Sequence, residues 1–485
     1  MIFILKYLEG VSWWKIAGSI FLLNLLAKSF FVTSQPIWYD ECFSIFSAQG
    51  SIRDSLIVSH WDINPPFYYI LLKFWMNLFG DTEFSVRFLN VLISSTAASV
   101  LFVYVRKFLD LRSALVASVL FLISDLLFYY SHEVRGYSLI VLCGLLASHL
   151  FLSQLQSPSI LRAILLACCW YMLVMTNYLT LFILLVQGGV LLIYFNKERF
   201  KYFLYAIVAF IILIWHWTER IYNIITQGQH SAWDSVPTPE DFYRLYEEFL
   251  NGRLMLYFWI AILVLFGVFF IIQTKSVKEK ISRYYSPMLV YSFIIGVLVV
   301  ITAYFISFKT PMFLDRYLLF TLIGLVPLLS VLLVVTLDKP IYLGIGLVFI
   351  IALSIPYVTP DRTKGMNYRE AMVFVKKKEV SNRVILLQTR DMYALFTYYY
   401  NRNIFREPKT MVEQLSKNNV FAGNDSSAFN SLDLKKYDQV LLVQTYENYI
   451  DPGATVDTML TREFHKTFRN TDFEGVVISE YVKKQ

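Results

Sequence analysis

Apolar residues in this chain run in long blocks, and polar residues gather at the joints between them. A helix crossing the hydrocarbon core of a bilayer needs roughly 17–25 mostly apolar residues. Blocks of that kind fall near 14–33, 86–105, 113–130, 137–153, 162–177, 180–195, 201–217, 254–273, 287–306, 317–337 and 340–357. Inside lipid every backbone N–H and C=O must be satisfied internally, so these eleven blocks predict helices. The pattern departs from this twice. NPPFYYILLKFWMNLFG (64–80) is apolar and aromatic but short, opens on two prolines and carries Lys73 in its middle. That predicts a helix lying along the outer leaflet with its rings at headgroup level, or alternatively a re-entrant segment. From about 361 the blocks stop: VILLQ (384–388) and QVLLVQ (439–444) read as strands among many Asn, Asp and Ser residues. About 125 residues of this kind predict one water-soluble α/β module.

Composition agrees with this pattern. Of the 485 residues 57% are hydrophobic and only 16% charged, against roughly 25% charged for soluble proteins. Mean hydropathy is +0.53. The distribution of the net +7 charge says more than its sum. Lys and Arg collect at Lys6, Lys15, Arg106–Arg112, Arg162, Lys197–Lys201, Lys275–Arg283 and Lys339, on alternate joints of the predicted helices. Basic residues mark the cytoplasmic side, which places the N-terminus inside and 38–85 and the C-terminal module outside. Lys6 before the first block and Lys15 at its start, with no small-residue cleavage site behind it, predict a retained signal anchor. Cys42, Cys143, Cys168 and Cys169 show no metal-binding spacing and predict no structural disulfide. No phosphate-cradling glycine loop is present, and nothing indicates a nucleic-acid partner.

The unusual polar clusters all fall on the predicted outer side. WYDE (38–41) follows the first block, SHWDINPP (59–66) lies in the same loop, SHEVRGY (131–137) turns between the third and fourth, and FLDRY (313–317) precedes the tenth. Ionisable groups near lipid are costly and face a cavity or a partner, so four clusters on one side predict one site. Asp40 and Glu41, if in a loop, can both point into a cleft, one taking a proton from an attacking hydroxyl and the other orienting it. A solvated loop after a membrane helix gives the same two acids without chemistry. The planar fork of Arg135 suits a phosphate, while an ion pair with Glu133 would equally anchor the turn. Lys73 can meet a lipid phosphate or reach to water along its own stem. Arg316 and Arg87 stand at outer boundaries, Lys28 is expected to reach outward, and Cys42 to pack. His60 and Asp62 are the one place for a divalent cation; two ligands within three residues give a weak metal signal, and no cofactor is expected. QGQHSAWDSVPTPED in the 218–253 loop reads as irregular.

Together, WYDE, HWDINPPFYY, SHEVRGY and DRYL resemble the C-type (GT-C) membrane glycosyltransferases, in the branch of the protein O-mannosyltransferases and the lipid A aminoarabinose transferase. The resemblance covers about 1–357. It implies a multi-pass α-helical membrane protein of about eleven spans plus interfacial helices, with a variable soluble α/β domain at 358–485. It also implies an inverting transfer of a sugar from a polyprenyl-phosphate donor to a hydroxyl of a lipid, glycan or protein acceptor outside the cytoplasm, in the plasma (inner) membrane. Asp40 would be the base and Glu41 its support; Arg135, Lys73 and Arg316 would receive the carrier phosphate. Glu133, Tyr137, Arg87, His60 and Asp62 complete the candidate set. The family's proline pair usually follows a histidine directly, whereas here Asn64 precedes Pro65 and His60 lies upstream. A lipid-linked sugar flippase, or a ligase or polymerase of lipid-linked glycans, would share the composition. Transporters, however, place coupling charges near the midplane of internal repeats, and no repeat is visible here.

Overall fold

A computed structural model describes residues 10–61, 64–227, 236–272, 287–359, 362–378 and 382–484. The chain forms two compact units, neither of them continuous in sequence. The first comprises Met1–Val32, Ser59–Tyr68 and Arg87–Pro360; the second comprises Thr33–Val58, Tyr69–Val86 and Asp361–Gln485. Most of the 38–85 segment, expected as an outer loop of the membrane domain, thus packs with the C-terminal residues.

In the first unit every predicted apolar block is helical, but fewer reach spanning length. Among the described residues five helices are long and apolar enough to cross a membrane singly: Glu83–Phe108, Tyr137–Gln156, Lys197–Asn223, Pro287–Ile306 and Asp315–Thr336. Two further spans arise if bent pairs are counted, Leu111–Ile123 with Asp125–His132 (64°) and Pro239–Phe249 with Arg253–Val268 (87°). Ile160–Val174, Tyr178–Ile193 and Pro340–Ser354 are shorter apolar helices. The two bends support each other. Asn251, in the left-handed region (φ 60°), accepts the Asp125 N–H at 2.9 Å and donates to the Ile123 carbonyl at 2.6 Å. A break in a helix at membrane depth needs that kind of repair. Polar side chains also join helices directly. Trp170 donates to Gln187 (2.8 Å), Gln187 to the Tyr291 hydroxyl (3.3 Å), and Ser148 lies 2.9 Å from that hydroxyl. Gly296 and Gly324 let two helices meet at backbone distance. A Cβ on Gly324 would stand 2.5 Å from the Ser292 carbonyl, and one on Gly296 would stand 2.6 Å from the Leu325 nitrogen.

Two expectations for this unit change. Lys28 does not reach outward: it is fully buried, donates to Ser94 (2.8 Å) and lies 4.9 Å from the centre of the Phe121 ring. A hydroxyl and an aromatic face replace the water that its stem would otherwise seek. Of QGQHSAWDSVPTPED, expected to be irregular, residues 228–235 lie outside the described residues, and helices reach into both of its ends. Thr218–Gln227 and Pro239–Phe249 are helices, the second opened by a Thr238–Asp241 capping box with Pro239 in its first turn.

The second unit is built on a five-stranded sheet of order β2-β1-β3-β5-β4. Here β1 is Arg383–Gln388, β2 Val420–Gly423, β3 Gln439–Gln444, β4 Phe464–Phe473 and β5 Val476–Lys483. Strands β1, β2 and β3 are parallel, with Ile385 level with Val420 and Leu441; β5 runs antiparallel to β3 and β4. The two strands predicted from sequence are the parallel central ones. Covered on both faces, they read as unbroken apolar runs. Val384, Leu386, Val440, Leu442, Leu460 and Tyr481 form the core.

Candidate active site

Asp40 and Glu41 are not in a loop: they occupy the first turn of the Tyr39–Gln49 helix, where the helix dipole favours negative charge. Because they are adjacent on a helix they diverge, and their surroundings differ. Asp40 is half-buried. Glu41 is fully buried, accepts the Trp38 N–H at 3.4 Å, and pairs with the Lys364 ammonium at 3.3 Å, itself 3% exposed. Tyr446, at the C-terminal end of β3, has its phenol pushed up by burial and by the Asp40 carboxylate. Cys42 is buried, and burial pushes its thiol far above the ordinary range, in keeping with a packing role.

The same unit fixes both ends of this helix. Ahead of it, the Ile37 N–H donates to the Tyr399 hydroxyl (2.7 Å), which donates to Glu83 (2.6 Å). Burial and the Glu83 carboxylate push that phenol far up, so it remains a donor. Behind it, Lys73 donates to the Gly50 carbonyl, and Gln49 to Asp81 (3.2 Å). Asp81 is the hub there: Arg406 grips it through two nitrogens (3.0 and 2.8 Å), while Arg402 and Tyr398 donate to its backbone carbonyl (2.9 and 3.1 Å). Burial alone would raise its carboxyl; Arg406 and Arg402 outweigh that and hold it below the usual range.

Three of the four polar clusters share the first unit. The SHEVRGY turn is held by Asn90, a buried amide that donates to the Glu133 carbonyl, to that of Arg135 (3.3 Å) and to the Tyr68 hydroxyl (2.8 Å). Tyr130 donates to Asp315 of FLDRY (2.7 Å) and stacks edge-on against Tyr137 at 4.8 Å. His132 donates to the Lys28 carbonyl (2.6 Å). Glu133 is buried, and Arg135 and Arg316 are half-buried, the latter 5.3 Å from the Tyr317 ring centre. Arg87 is buried and donates to the Val32 carbonyl (3.0 Å), closing the end of the first helical segment. Asp62 and the side chain of His60 lie outside the described residues.

Sequence reasoning missed Lys364, Asp81, Tyr399 and Asn90. Only Asn90 carried a local cue, a lone amide in an apolar helix. The others act across hundreds of residues of sequence.

Comparison with known proteins agrees with this architecture. Residues 63–217 match the family model described as dolichyl-phosphate-mannose-protein mannosyltransferase. No curated protein matches the chain significantly. Among solved structures, apo ArnT of Cupriavidus metallidurans is 13% identical with a TM-score of 0.58, covering 95% of this chain and 97% of that one. The same protein bound to undecaprenyl phosphate is 12% identical at the same TM-score and coverage. An oligosaccharyltransferase of Archaeoglobus fulgidus matches less closely, at 10% identity and a TM-score of 0.49, covering 96% of this chain and 73% of that one. The chain is therefore a membrane protein with the C-type glycosyltransferase fold. Within that class it is mannosyltransferase-like over 63–217.

Proposed function

We propose that the chain is an inverting glycosyltransferase that moves a sugar from a polyprenyl-phosphate donor to an acceptor hydroxyl on the extracytoplasmic face of the membrane. The observation that carries this reading is the division of labour between the two adjacent acids: Glu41 buried against Lys364, and Asp40 half-buried at the helix start. Asp40 takes the proton from the acceptor hydroxyl as its oxygen attacks the anomeric carbon. The sugar–phosphate bond breaks on the opposite face, which inverts the centre, and the lipid phosphate departs with the bonding electrons. Arg135, Arg316 and Lys73 are the cations assigned to that phosphate, whose growing charge they stabilise. The ammonium of Lys73 carries three donors and spends one on Gly50. Support comes from the fold shared with ArnT, which has been solved with undecaprenyl phosphate bound, and from the mannosyltransferase match.

Asp40→Asn tests the reading. In proteoliposomes supplied with a polyprenyl-phosphate sugar, it should cut transfer by about 10²–10⁴-fold, the usual worth of a general base. Expression and donor binding should persist. Full transfer in that variant removes Asp40 from the mechanism, and a lipid-linked sugar flippase would be indifferent to it.

A further inference from the structure

Lys364 sits in a short strap, residues 362–367, that leads into the Tyr368–Lys377 helix, and the strap is held at several points by its own unit. Its tightest contact is with the turn joining β4 to β5. Gly365 and Gly475 both have positive φ (76° and 67°), and a Cβ on Gly475 would run into the Gly365 carbonyl. Two backbones can approach this closely only where no side chain intervenes. The Asn367 N–H donates to the Glu474 carbonyl (2.8 Å), Thr363 to the Glu474 carboxylate (2.5 Å), and the Gly365 N–H to the Thr363 hydroxyl (3.1 Å). One residue beyond the strap, the buried Tyr368 hydroxyl lies 2.6 Å from the Thr445 hydroxyl, at the end of β3 and next to Tyr446. Between these fixed points the Lys364 side chain is buried and pairs with Glu41 at 3.3 Å.

A long, flexible lysine has every reason to stay in water. Burying it against a carboxylate brings little net stability, because desolvation of both charges offsets their attraction. Such pairs serve best to fix a register. Here the register concerned is the first turn of the helix carrying Asp40.

We propose that Lys364 is a positioning residue for the transfer reaction: the β4–β5 turn clamps its strap, and its ammonium anchors the Glu41 carboxylate and with it the helix turn that presents Asp40. This rests on the glycosyltransferase reading above. The C-terminal module is then a working part of the catalytic machinery, with Lys364 as its contact to the acid pair.

The test uses the full chain in proteoliposomes with a polyprenyl-phosphate sugar, reading kcat, donor KM and the melting temperature. Lys364→Met should lose about 10–100-fold in kcat, the scale expected for a small misplacement of a reacting group. Donor KM should stay within about twofold, as expected when an interaction acts only in the transition state. Lys364→Arg should recover most of the loss. Gly475→Ala, which touches neither acid, should reproduce the loss and add little to that of Lys364→Met. If Lys364→Met fails to fold, Glu41→Gln/Lys364→Met removes both charges together and should fold yet remain slow. Wild-type kcat in Lys364→Met or in the double variant overturns the inference. So does a rise in donor KM at unchanged kcat. A wild-type protein that transfers no sugar overturns the glycosyltransferase reading itself, whereas an active wild type indifferent to Lys364 removes only this inference.

Discussion

Asn90 shows how much one buried amide can hold. Its donors satisfy carbonyls at 133 and 135, so the backbone of the SHEVRGY turn depends on a side chain more than 40 residues away. Asn90→Ala removes these hydrogen bonds from the turn, and each is worth about 0.5–1.5 kcal/mol. Thermal unfolding in detergent should show that loss, with a parallel loss of whatever Arg135 contributes to donor use. An unchanged melting temperature would mean that the turn is held from elsewhere. The two adjacent acids teach a related point. As a bare residue pair Asp40 and Glu41 look equivalent; the family resemblance ranks them as base and support, and the fold gives Glu41 a lysine.

Helix crossings carry the membrane unit, and at Gly296–Gly324 two helices meet at backbone distance. Without a hydrophobic drive between helices in lipid, small residues that admit close backbone packing supply the association. Gly324→Val should cost about 1–3 kcal/mol as overpacking. Gly188→Val, at a position with nothing within 4 Å, should stay close to wild type. Comparative melting of the two variants checks this. Helices were legible in the sequence because lipid forces continuous apolar blocks, and β1 and β3 because burial on both faces erases the polar alternation. The breaks at Ser124 and at Asn251–Gly252 were harder to see, since a bent helix keeps the composition of a straight one. The Pro239–Phe249 helix had a readable start in Thr238-Pro239-Glu240-Asp241, outweighed by the proline and aspartate that also mark loops. Strand β4 pairs at an exposed edge and lacks the apolar run that revealed its neighbours.

Three separate stretches of chain build the second unit, and Asp81 is where they are tied. Its carboxyl is held below the usual range by Arg406 and Arg402, so it binds its proton less readily folded than unfolded. The sign follows: the stabilisation is fully present above the unfolded carboxylate value of about 3.9 and is lost as pH falls through the lower folded value. Asp81→Asn should therefore lower stability at neutral pH by about 1–3 kcal/mol, and its difference from wild type should shrink below about pH 4. Melting curves between pH 3 and 7 measure this, and a constant difference would deny Asp81 the role. The polar clusters of the membrane unit could be recognised from sequence because each is a local run of unusual residues. The pairing of Glu41 with Lys364 could not, because it exists only after folding.

That separation in sequence is also a separation in time. Ile37 bonds to Tyr399 across 362 residues, and ribosomes add about 5–20 residues per second. For some tens of seconds, while the apolar helices are being threaded into the bilayer, the segment bearing Asp40 is already made but lacks its lysine, its tyrosine and its arginine clamp. On the proposed function, transfer through Asp40 waits for Lys364, Tyr399 and Arg406, which the ribosome adds more than 300 residues later.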